Sequence, residues 1–194
     1  DEQNIKKMGG IYSRIPLTYV TMLIGSLALM GIPFLSGYFS KDLILEFIYL
    51  SQSGFKFFAF SIGIIGVFLT TIYSSRLIIH VFHRKNLSDE KVFAHIHESP
   101  KIMVIPLVIL AFFSIFFGMI FHNYFAGIAI DPIWSKVMHI NLDINKSYSI
   151  GDIPALIKKL PLIMIIFGLI LSTLIYFRFV KGLEYIKTKL SGLI

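Results

Sequence analysis

The sequence predicts an all-α, polytopic membrane helix bundle of about four transmembrane spans, the first of them discontinuous. Three observations carry that expectation. The chain is 56% hydrophobic with a mean hydropathy of +0.78, beyond the roughly 45–50% apolar content of soluble domains. Four charge-poor runs, Ile15–Phe39, Phe57–Ser75, Ile102–Phe121 and Leu160–Phe177, are of the order of the ~20 apolar residues that cross a hydrocarbon core of about 30 Å. Finally, the first run is interrupted by Gly31, Pro33 and Gly37 just before a Lys-Asp pair.

The first span, 15–50, is apolar except for Lys41, Asp42 and Glu46. As one straight helix it would measure about 54 Å at 1.5 Å per residue, far more than the membrane core. Either two helices turn back on each other or one crossing is broken partway. Proline removes a backbone donor and crowds the preceding turn, and glycine accepts the dihedrals that an unwound segment needs. Such backbone persists at membrane depth only where protein or a wet cavity surrounds it. Ser40 is positioned to cap a second half-helix, with Asp42 and Glu46 on one face and Lys41 on the neighbouring one. A lysine near a helix start meets the positive pole of the dipole, while the two carboxylates favour its charge. Competing terms of this kind suit a proton relay. An equally compatible reading has Lys41 snorkelling to the interface with Asp42 as a surface partner.

The second span is expected near 57–82. Arg76 and His80 fall four apart on it, and Thr70, Thr71, Tyr73, Ser74 and Ser75 make its later half polar. That half either lines a hydrated path or grips another span, with Arg76 alternatively an interface anchor. Glu98, Ser99 and Pro100 lead into a third span, 102–121, with proline in the first turn. A fourth span is expected near 160–180. Ser114 with Gly118, and Gly168 with Ser172, are small pairs four apart that favour close helix packing. Between these two spans, the connection 122–159 holds Trp134, an interface anchor by type, and suggests no chemistry.

Composition excludes several functions. With no cysteine, the chain offers no disulfide, thiolate metal site or iron-sulfur ligand. His83, His95 and His97 lack a third ligand at a familiar spacing, so no metal site is expected. The net charge of +7 is scattered over the short segments between spans, which argues against nucleic-acid binding. Lys and Arg on the side of the first segment, the second connection and the tail outnumber those on the other side eleven to five. By the positive-inside rule both termini are expected on the cytoplasmic or matrix side. The start DEQNIKK has neither an initiator methionine nor a leader pattern, so a truncated or excised piece is expected.

The segments DEQNIKKMGG, IPLTYVTMLIGSLALMGIPFLSGYFSKDLILE, TTIYSSRLIIHVFH and HESPKIMVIPLVILAFFSIFFGM resemble the C-terminal part of the largest antiporter-like membrane subunit of respiratory complex I, the chain L or subunit 5 type. The similarity runs from residue 1 to about 120 and returns at GDIPALIKKLPL. It implies a proton-translocating part of NADH:quinone oxidoreductase, in a bacterial inner or mitochondrial inner membrane, with other complex I membrane subunits, lipid and protons as partners. NADH, flavin, iron-sulfur clusters and quinone would belong to partner subunits and no cofactor to this chain. Lys41 matches the family's lysine in a discontinuous helix, taken to pass protons toward the outer side, and Asp42 and Glu46 match its acidic neighbours. Arg76 matches a family arginine on the next helix. The family's first half-channel has no counterpart here, and residues 183–190 match the start of its long lateral helix. The alternative is a subunit of a multi-subunit sodium/proton antiporter, which resembles complex I in these same helices.

Overall fold

A computed structural model describes residues 5, 8–85, 90–126 and 153–178, and among these every regular element is helical. Trp134, most of the connection 122–159 and the expected start of a lateral helix at 183–190 lie outside the described residues. A single 3₁₀ turn, Ile11–Ser13, precedes α1 (Pro16–Met30) and α2 (Ser36–Leu50). Next come α3 (Lys56–Ile78), prolonged by a wide π-turn at Ile79–His83, and the short α4 (Glu90–Ala94). Last are α5 (Lys101–Ala126) and α6 (Ala155–Thr173), the latter also ending in a π-turn, Leu174–Arg178. The stretches Lys56–His83, Lys101–His122 and Ala155–Tyr176 are long and apolar enough to cross a membrane, and Pro16–Met30 is a shorter apolar helix.

α1 and α2 have 15 residues each, or about 22 Å of rise apiece, so neither spans the core alone. Their partners show that they follow one another along a single crossing. Tyr19 of α1 packs on Phe82 at the end of α3, whereas Leu45 and Tyr49 of α2 pack on Gly63 and Phe60 near its beginning. Farther along α5, Gly118 and His122 receive Ser36 and Phe39 from the start of α2. α3 therefore runs antiparallel to the α1–α2 pair. α6 runs parallel to α3, with Phe167 stacked on Phe68, Gly168 against Thr71 and Tyr176 against His80.

The core forms where α2, α3 and α6 meet, from Leu45, Phe60, Ile64, Val67 and Ile165. Small residues set the spacing. A Cβ on Gly168 would lie 3.0 Å from the Thr71 side chain, and Thr71 and Ser172 are fully buried beside it. Gly118 similarly admits the backbone of Ser36, which a Cβ would approach to 2.7 Å. The small pairs of the sequence thus serve helix packing. Outward-facing apolar side chains such as Ile102, Phe112 and Met119 are exposed in the isolated chain, as expected of a surface that meets lipid or other protein.

Two further contacts close the end of the bundle where α1 begins. Gly9 lies so near the end of the α3 π-turn that a Cβ would sit 2.6 Å from the carbonyl oxygens of Arg84 and Lys85. The amides opening α1 are met from a distance in sequence. Pro16 occupies the first turn, Ile15 supplies no side-chain cap, and Glu98 takes that place. Its Oε2 accepts the Leu17 N–H at 3.0 Å, and its Oε1 accepts the Thr18 hydroxyl. A carboxylate at a helix N-terminus satisfies orphan donors and complements the dipole. Burial pushes the Glu98 carboxyl up, but donors from Thr18, Leu17 and Ser99 outweigh it and hold the group below its ordinary value. Besides leading into α5, Glu98 therefore fastens that segment to α1.

Two predictions follow from this packing. A methyl at Gly37 would stand 1.8 Å from the Ala28 carbonyl oxygen, whereas Gly66 has open space. Gly37→Ala is expected to cost about 1–3 kcal/mol and to lower the thermal stability of the assembled protein, with Gly66→Ala close to neutral. Because the folded state depresses its carboxyl, Glu98 stabilises fully above the ordinary value of 4.5, and the contribution fades as pH falls below it. Amide exchange at Leu17 and Thr18 should accelerate in Glu98→Ala at pH 7 and should no longer differ from wild type once Glu98 is protonated.

Candidate functional site

α1 ends inside the span, and its termination is the structural origin of the site. Gly31 adopts φ 90°, a left-handed conformation open to glycine at little steric cost. Its N–H reaches the Ala28 carbonyl at 3.0 Å, and the Ile32 N–H reaches that of Leu27 at 3.2 Å, the paired bonds of a Schellman ending. Pro33 follows, and Phe34 is the one non-glycine residue at positive φ among the described residues, at 74°. The chain restarts at Ser36 with Leu35 in extended conformation and no side-chain cap. Ser40 lies one turn in, where its hydroxyl donates back to the Gly37 carbonyl at 3.2 Å. α2 thus begins four residues before the position the sequence suggested, and Ser40 caps nothing.

Lys41, in the second turn of α2, sends its side chain back over Gly31 to the end of α1, with its Cδ 3.3 Å from where a Gly31 Cβ would stand. Its Nζ donates to the Leu29 carbonyl oxygen at 2.5 Å. Leu29 belongs to the last turn of α1, whose carbonyls have no partner within the helix. The sequence placed Lys41 against the positive pole of α2. In the fold its ammonium meets the negative pole of α1, where a cation is favoured. The same short reach satisfies a carbonyl that membrane interior would leave unsolvated.

Asp42 and Glu46 face another way. They lie together on α2, and the Tyr38 hydroxyl one turn earlier is within hydrogen-bonding reach of Asp42. Lys41, Asp42 and Glu46 are all half-buried. The break therefore gathers a titratable amine on one side of α2 and a carboxylate pair with a phenol on the other. Tyr38 was not singled out in the sequence, although its position four before Asp42 on a helix is a usable signal. The Leu29 carbonyl had no signal at all, since every residue carries one.

Arg76 does not join this group. It is exposed, whereas His80, four residues on, is buried at 6% exposure. His80 packs edge-on to Tyr176 and its Nδ1 lies 3.2 Å from an Arg84 guanidinium nitrogen. His83 is within 3.0 Å of the Tyr19 hydroxyl and stacks on Tyr12. These contacts tie the π-turn to its neighbours. No group of three or more His, Cys, Asp or Glu able to hold a metal ion occurs among the described residues.

Comparison with known proteins agrees with this architecture. Residues 1–73 match the family described as NADH:quinone oxidoreductase/Mrp antiporter, TM. The whole chain is similar to NADH-ubiquinone oxidoreductase chain 5 of Phytophthora infestans, at 41% identity over 193 residues, covering 29% of that protein. Chain 5 of Dictyostelium discoideum is 44% identical over 177 residues, which is 91% of this chain and 26% of the relative. NADH-quinone oxidoreductase subunit L of Rickettsia typhi is 42% identical over 176 residues, again 91% of this chain and 26% of the relative. The chain thus spans about a quarter of the length of the curated relatives it matches. With a broken apolar helix, a lysine folded back on the break and these relatives along its length, the chain belongs to the family of antiporter-like membrane subunits of the chain 5 and subunit L type, as a part of such a protein.

Proposed function

We propose that this chain is part of a proton-translocating membrane subunit of NADH:quinone oxidoreductase, and that Lys41 is a proton carrier within it. The observation that carries the reading is the Lys41 ammonium resting on the Leu29 carbonyl at the break between α1 and α2. An ionisable side chain at such depth is rare unless it serves transport. A neutral amine keeps N–H donors, so the contact with Leu29 survives loss of the proton and the break does not unravel during a cycle. Asp42 and Glu46, on the half-helix that leads away from the break, are the acceptors toward the end of α2, and Tyr38 orients Asp42. Arg76 is assigned an anchoring role, in keeping with its exposure.

In this reading the partners are the remaining membrane subunits of the complex and the lipid around them. Electron transfer takes place elsewhere, with NADH, flavin, iron-sulfur clusters and quinone in partner subunits, since this chain has no cysteine to hold a cluster. The membrane is a bacterial or mitochondrial inner membrane, with the end where α1 begins on the cytoplasmic or matrix side. A sodium/proton antiporter subunit is the second reading, favoured by the family description that joins both kinds of protein. Sodium exchange driven by a pH gradient in vesicles without NADH would select it.

Lys41 is tested in the full complex. Lys41→Ala is expected to slow the proton-transfer step by about 10²-fold or more, a loss of the size seen when a positioned proton donor is removed, while the complex still assembles. Lys41→Arg keeps a donor for the Leu29 carbonyl but holds its proton throughout, so it should assemble and pump as poorly as Lys41→Ala. Pumping at the wild-type ratio of protons to NADH in both variants would end the assignment.

A further inference from the structure

A cavity of about 430 Å³ lies between α1, α3 and α5. Its wall includes Thr21, Ser26 and Leu29 of α1, Tyr73 and Ser74 of α3, and Ser114 of α5. Every one of these positions falls in the half of the bundle where α1 begins, α3 ends and α5 begins. The deep end is Leu29, the residue whose carbonyl holds Lys41. At the shallow end is Thr21, and Thr18, the preceding turn of the same helix, carries the hydrogen bond to Glu98.

The hydroxyls on this wall are unevenly satisfied. Thr21 donates to the carbonyls of Leu17 and Thr18 and retains acceptor capacity. Ser74 is 3% exposed, and its Oγ has no hydrogen-bond partner among the described residues. Most serines in apolar helices donate to the carbonyl four residues back, as the neighbouring Ser75 does to Thr71 at 2.6 Å. Ser74 does not, and a buried hydroxyl left without a partner costs about 1–3 kcal/mol. Water in the cavity removes that cost. The space accommodates on the order of ten molecules at about 30 Å³ each, and several hydroxyls offer the partners such waters need.

We propose that this cavity is hydrated and gives the Lys41 amine access to water from the side on which α1 begins, with Ser74 holding the water nearest the α3 wall. Lys41 then stands between two media: the hydroxyl-lined cavity on the α1 side and the acidic face of α2 beyond the break. A lysine so placed takes up a proton from one and passes it to the other, and the chain carries access to both sides of its proton carrier. The functional meaning rests on the proton-carrier reading of Lys41. The hydration of the cavity does not.

The test uses single cysteines in the full-length parent protein within its complex, and this stretch of chain has no cysteine of its own to interfere. The probe is a small, membrane-impermeant, cationic methanethiosulfonate added to either side of sealed membranes. Ser26→Cys, Ser74→Cys and Lys41→Cys are expected to react from the side where α1 begins, at least about tenfold faster than Ile65→Cys on the outward face of α3, because exchange rates follow access. Ser74→Leu in the Lys41→Cys background, by filling the cavity, should slow labelling of the deep cysteine. Reaction of Lys41→Cys from the opposite side alone, or none of the three exceeding Ile65→Cys, overturns the proposal. Labelling reports water access alone, so normal pumping by Lys41→Ala would remove the carrier role and leave the labelling pattern standing.

Discussion

The constraint on which the structure depends is the ending of a helix within a membrane span. α1 stops at Met30 and exposes carbonyls that water cannot reach in an apolar surround. Two are satisfied locally, by Gly31 and Ile32. The third, from Leu29, takes a hydrogen bond from a side chain twelve residues later. Each carbonyl left unpaired at such depth would cost several kcal/mol, so the interruption is tolerated only because Lys41 folds back. The lysine is at once a structural cap and the titratable group at mid-span.

That dual role explains why the surrounding contacts are so close. α2 must start near enough to α1 for a lysine to span the gap, and Gly37 achieves this by lying against the Ala28 carbonyl, where any Cβ would collide. The half-helices must also be held in line, since nothing within α1 and α2 fixes their relative direction. α3 and α5 do so by contacting α1 over one half of their length and α2 over the other. At the far end, α6 locks onto α3 through Gly168, Thr71 and Ser172, an interface narrow enough that only small side chains fit. Glu98 supplies the complementary N-terminal cap of α1. Both ends of this one helix are therefore completed by ionisable side chains from other elements.

Electrostatics at the break follow from this geometry. Judged along its own helix, Lys41 is in an unfavourable place near a positive pole. In three dimensions the nearer pole is the carbonyl end of α1, and the sign reverses. Asp42 and Glu46, adjacent in sequence and seemingly the lysine's counter-ions, associate instead with Tyr38. The amine and the carboxylates are thus separate stations and not one ion pair, an arrangement better suited to handing a proton on than to holding it.

Much of the fold was written in local chemistry. Apolar runs of membrane-spanning length, the Gly-Pro-Gly interruption and the small pairs four apart each act through near neighbours, so the helical class, the broken first span and the tight packing points were legible along the chain. The start of α2 was not, because Ser36 and Ser40 are equally good caps by type and the choice fell to how closely Gly37 meets Ala28. Glu98 as the cap of α1, Leu29 as the acceptor for Lys41 and the burial of His80 beside an exposed Arg76 were equally hidden. Each depends on groups from distant elements, or on a backbone atom common to all residues. The sequence alone determined that a charged amine would stand at a broken membrane helix. Only the packing of α1 and α2 along α3 and α5 decided which pole that amine meets, because the field at a side chain is set by distances in space and not by order along the chain.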